Sequence, residues 1–155
     1  MNLHMKKNLL KQLKYAPKIW STVLYFIIVA IGMILFAARS LESLRFDFLL
    51  QLFPNYHQHI SNFSITLLLV LVSGYTTTLE NKSLKRTYIT ASILIAINVV
   101  YELYLPFINT RDIMDAYYGI SGAVLPFLYL LPYQHFGIMH NPMYENNKSS
   151  EIEVI

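Results

Sequence analysis

Four stretches, about Ile19 to Ala38, Ile60 to Leu79, Thr87 to Phe107 and Met114 to Tyr133, are each some twenty residues long and mostly apolar. That length matches the hydrocarbon core of a bilayer, which takes about 20 residues at ~1.5 Å rise each. A backbone in lipid must satisfy its own N–H and C=O groups, so such stretches fold as helices. The sequence therefore predicts an all-α, polytopic membrane protein with four transmembrane helices in a bundle. With 155 residues, 55% of them hydrophobic, there is no room for a second domain. The expected division is a basic cytoplasmic segment over 1–18, a four-helix domain over 19–133 and a flexible cytoplasmic tail over 134–155.

The net charge of +3 does not indicate nucleic acid, because the cations sit at the ends of the apolar runs. Lys6, Lys7, Lys11, Lys14 and Lys18 precede the first run, and Lys82, Lys85 and Arg86 lie between the second and third. The outer connections hold only Arg39, Arg45 and Arg111, each near acidic residues. The positive-inside rule then puts both termini in the cytoplasm. The chain has no cysteine, which removes disulfides, thiolate nucleophiles and Cys-ligated metals. Between the first two runs, Leu44, Phe46, Phe48, Leu49, Leu52 and Phe53 alternate with Arg45, Asp47 and Gln51. This segment is too apolar for a free loop and too short to span, and predicts an interfacial piece ended by Pro54, with Asn55 placed to cap the next helix.

The candidate site follows from Glu102. A carboxylate near the outer end of the third run is costly, on the order of 2.5 to 3.5 kcal/mol for Asp at a helix centre, and calls for partners. Asn98 lies one turn before it on the same helical face. His59, Arg111, Asp112 and Asp115 fall at the same predicted depth, and Arg111 is the expected ion-pair partner of Glu102. At least one of Asp112 and Asp115 is expected to cap the fourth helix. Gly119, Gly122 and Ala123 then form a small face for close helix packing, Pro126 is placed to kink that helix and Pro132 to mark its inner end. His57 and His59, two residues apart, point in different directions on a helix, so neither a metal site nor a cofactor is expected.

The order of Glu102, Arg111, Asp112-x-x-Asp115 and Gly122-Ala123, with Asn55-Tyr56-x-x-His59-x-x-x-Phe63 opening the second span, resembles the VanZ-like family of small bacterial membrane proteins. The chain departs from that pattern at Asn55, Leu105 and Gly119, where the family tends to carry Asp, Gln and Asn. The resemblance implies a multi-pass protein of the bacterial inner membrane with a cell-envelope role and an effect on glycopeptide susceptibility. The expected partners are the lipid bilayer and an envelope lipid or cell-wall precursor recognised by the outer cluster. Two other classes stay open: a membrane enzyme with Glu102 or Asp115 as general base, and a small proton-coupled transporter. The absence of a Ser-His-Asp pattern or phosphate loop weighs against the first. The second would need a homo-oligomer to line a pathway.

Overall fold

The computed structural model describes residues 13–104 and 112–144. The order of elements is a short strand β1 (Tyr15–Pro17), helix α1 (Ile19–Ala37), a 3-10 turn (Glu42–Leu44), helix α2 (Asp47–Leu52), helix α3 (Tyr56–Asn81), helix α4 (Lys85–Tyr104), helices α5 (Ile113–Val124) and α6 (Phe127–Phe136), and strand β2 (Ile138–His140). Three pieces among the described residues are long and apolar enough to cross a membrane: α1, α3 and the α5–α6 run Ile113–Phe136. The crossing expected over 87–107 is not among the three; α4 ends at Tyr104, and residues 105–107 lie outside the described residues.

The burial pattern is that of a bundle with an apolar exterior. Helix α1 buries only Ser21 and Gly32, while Ile19, Phe26, Ile31 and Met33 are among its exposed side chains. Inside the bundle are Ser61, Ser64, Thr66, Thr77, Thr78, Thr87 and Glu102. Water would penalise so continuous an apolar surface, whereas lipid does not distinguish it from a core and leaves small and polar residues to pack the helices together.

Helix α3 is the central post, with α5 on one side and α1 and α4 on others. The approach of α5 depends on glycine. A Cβ on Gly122 would stand 2.2 Å from the Phe63 backbone oxygen, and one on Gly119 would stand 2.2 Å from Asn98 Oδ1. Deeper, Val70, Leu71, Leu79, Ala123, Leu130 and Tyr133 share one apolar core.

Several local expectations are corrected. Asn55 does not cap α3 through its side chain; it takes the left-handed conformation at φ 68 and turns the chain into the helix. The fourth apolar run is two helices meeting at Leu125 and Pro126, as a proline without an N–H requires. Pro132 does not end the helix, which continues to Phe136. Beyond it, part of the expected tail is built structure: Ile138–His140 pairs antiparallel with Tyr15–Pro17, and Asn141 donates from Nδ2 to the Leu13 carbonyl at 2.7 Å. The Lys18 N–H and the Ser21 hydroxyl both bond the Gly137 carbonyl, so the flanks of the bundle meet at one end.

Candidate functional site

The opposite end carries a histidine and two aspartates that meet. Asp112 is the N-cap of α5, its Oδ1 accepting from the Met114 N–H at 2.9 Å. An aspartate at that position satisfies one of the orphan N–H groups of the first turn and sits favourably at the positive end of the helix dipole. Asp115 stands one turn on, within that same first turn. Both face His59, one turn into α3: Nδ1 lies 2.8 Å from Asp115 Oδ1 and 3.4 Å from Asp112 Oδ2. A carboxylate only accepts, so Nδ1 carries the proton in the short contact, and the imidazole is held in one orientation. The ring also lies against Tyr118, with centroids 5.5 Å apart.

Glu102 is 2% exposed and stands behind this group. Its carboxyl takes hydrogen bonds from the Asn62 side chain and the Asp112 backbone, and feels the charges of Asp115 and Asp112. Arg111, the expected ion-pair partner of Glu102, lies outside the described residues. Asn98 is placed elsewhere: its Nδ2 donates to the Leu94 carbonyl at 2.8 Å and to Thr66 Oγ1 at 3.3 Å, against Gly119. It belongs to the packing seam between α3, α4 and α5.

Two adjoining cavities open beside the cluster. One, of about 410 Å³, is lined by residues that include Asn55, Gln58, His59 and Asp112. The other, of about 380 Å³, is almost wholly apolar and runs along Leu35, Leu49, Ile60, Phe63, Tyr117 and Ser121. Phe53, Met114 and Tyr118 line both, so a polar mouth joins an apolar groove. Of the groove residues only Tyr56 and Phe63 carried a sequence signal, as part of the pattern that opens the second span; Leu35, Leu49 and Ile60 read as ordinary lipid-facing or core hydrophobes. On the far side of the connection, Arg39 is bonded to Ser61 of α3, and the interfacial segment is tied in by Arg45, which donates to the Ala38 and Arg39 carbonyls, and by the Phe46 N–H, which donates to the Tyr56 hydroxyl.

Comparison with protein-family models, with curated proteins and with solved structures returns no match. The geometry therefore carries the functional argument.

Proposed function

We propose that this is a four-span protein of a bacterial inner membrane that binds an envelope lipid, or a lipid-linked wall precursor, at its outer face. The observation that carries the reading is the joined cavity pair: an apolar groove of acyl-chain character opening into a pocket lined by His59, Asp112, Asn55 and Gln58. An amphiphile placed there buries its chain against Phe53, Ile60 and Phe63 and presents its headgroup to the polar cluster. Groups that resemble the VanZ-like pattern, His59, Glu102, Asp112 and Asp115, gather at this mouth, which favours the cell-envelope role which that resemblance implies.

The strand pair supports the fourth crossing. Tyr15–Pro17 precedes α1 and Ile138–His140 follows α6, and their pairing keeps both flanks at one end of the bundle. Flanks on one side require an even number of crossings; α1, α3 and α5–α6 supply three, and α4 is the fourth. The lysines near those flanks and at the α3–α4 turn then put that end in the cytoplasm and the cluster outside. Single cysteines in this cysteine-free chain test the orientation: Gln58→Cys should be labelled by an impermeant reagent in intact cells and Ser83→Cys should not. The reverse pattern overturns the topology.

The binding reading is tested by filling the groove. Ser121→Trp, at an exposed position of α5 that lines only the apolar cavity, should strip the lipid retained by the wild-type protein in native mass spectrometry. Equal retention by both contradicts the reading.

One observation favours a second reading. With Nδ1 held by Asp115, His59 has the orientation that leaves Nε2 available as a general base, the arrangement of an Asp–His pair in hydrolases and transferases. In that case the bound amphiphile is a substrate, and His59→Gln would abolish turnover while leaving lipid retention intact.

A further inference from the structure

We infer that His59, Asp112 and Asp115 form a divalent metal site of the manganese-to-zinc series. Each offers one donor atom, and these atoms all lie within 4.8 Å of one another; His59 Nδ1 would become a ligand by releasing to solvent the proton it otherwise shares with Asp115. Bonds of about 2.1 Å to a common ion set donor separations of about 3.0 Å at octahedral and about 3.4 Å at tetrahedral angles. The two histidine contacts measure 2.8 and 3.4 Å.

The hydrogen-bond count also points to a cation. A single Nδ1–H cannot serve two carboxylates, and the Asp115 contact is the shorter. Asp112 has already committed Oδ1 to its capping bond, and it is Oδ2 that turns towards the histidine. Concentrating acidic groups around one imidazole is unfavourable in a partly dry site unless positive charge enters with them. A ligand set of one imidazole and two carboxylates suits first-row divalent ions better than Ca²⁺ or Mg²⁺, which prefer all-oxygen sites. The donors come from two helices packed through Gly122, so the site is pre-shaped by the bundle. The adjoining cavity of about 410 Å³ leaves open coordination positions to water or a bound group.

The ion also resolves a difficulty for a phosphate headgroup. Carboxylates alone would repel a phosphate at this mouth, whereas an ion with open positions bridges them to it. That consequence rests on the lipid reading, while the ion site stands on the cluster by itself.

The test uses the full-length chain, purified in detergent with its affinity tag removed, and Mn²⁺ as the probe. Electron paramagnetic resonance and calorimetry should show one Mn²⁺ per chain. Asp115→Asn, which keeps shape and the hydrogen bond from Nδ1, should weaken binding by on the order of 100-fold, since even outer-shell partners are worth about 10 to 100-fold. His59→Ala should do the same, and Tyr129→Phe, at the opposite end of the bundle, should not. A folded wild-type protein that takes up no Mn²⁺ at millimolar concentration overturns the proposal, as does binding unchanged in both ligand variants. Retention of an anionic phospholipid with and without chelator is read separately. Mn²⁺ bound without any lipid effect keeps the ion site and rejects the bridge.

Discussion

At the end of the bundle that carries the strand pair, Tyr25, Tyr75, Tyr133 and Tyr129 stack in series, with successive centroids 4.0, 5.0 and 5.3 Å apart. At the opposite end, His59, Glu102, Asp112 and Asp115 converge beside an open pocket. The first region bonds inward: the Tyr129 hydroxyl donates to the Ser21 carbonyl, Thr77 meets Thr87, and Gln134 reaches the Lys82 carbonyl. The second gathers two aspartates on one histidine, with contacts of 2.8 and 3.4 Å, at the edge of that pocket. Aromatic area and satisfied backbone stabilise a fold, whereas crowded carboxylates around one histidine are tolerated where a ligand completes them. The contrast separates an end that holds the bundle together from an end that binds.

The largest effect is expected at the tyrosine end. Tyr133 is fully buried between two stacked rings, and Tyr133→Ala should cost about 3 to 5 kcal/mol of stability in detergent unfolding, the usual range for removing a large core ring. Lipid and Mn²⁺ binding measured below the new midpoint should be unchanged. Impaired binding in the folded variant would break the division between the two ends.

Next comes the seam that supports the polar end. Gly122→Ala puts a methyl against the Phe63 backbone, which cannot move aside without shifting α3, and should cost about 1 to 3 kcal/mol. Gly32→Ala is the contrast, because its methyl would meet side-chain atoms rather than backbone, Leu68 Cδ2 at 3.0 Å and Leu67 Cδ2 at 3.3 Å. Thermal midpoints that shift equally in the two variants would show that α5 is not locked to α3 by this contact.

Much of this organisation was legible in the residues. Run length predicted the helices, the basic flanks predicted an orientation, and a cap at Asp112 or Asp115 was readable because both stand at the start of an apolar period; the structure has it at Asp112. Depth was legible too, and placed His59, Glu102 and Asp115 at one level. Rotation about each helix axis was not, since a helix apolar on all sides carries no stripe to say which face meets which neighbour. Hence the sequence could not see that His59 and Asp115, 56 residues apart, would meet. The strand pair escaped for another reason. Three residues containing Pro17 carry no alternation, and the pairing exists only because the bundle brings the two flanks together.

Smaller effects sharpen the contrast. Tyr129→Phe removes the buried bond to the Ser21 carbonyl and should cost about 1 kcal/mol, with no change in binding. Asp115→Asn should change stability by less than about 1 kcal/mol, because the amide oxygen still accepts from His59 and one negative charge is relieved. A much larger loss would mean that the acidic cluster is a structural clamp.

The most direct test of the binding end is lipid retention by native mass spectrometry in the wild-type protein, Tyr129→Phe and Asp115→Asn, each prepared from the same membranes and checked for its thermal midpoint. The account predicts that the wild type and Tyr129→Phe carry the same lipid and that Asp115→Asn, folded and of near wild-type stability, has lost it. Equal lipid in all three would contradict the claim that this cluster holds the lipid headgroup.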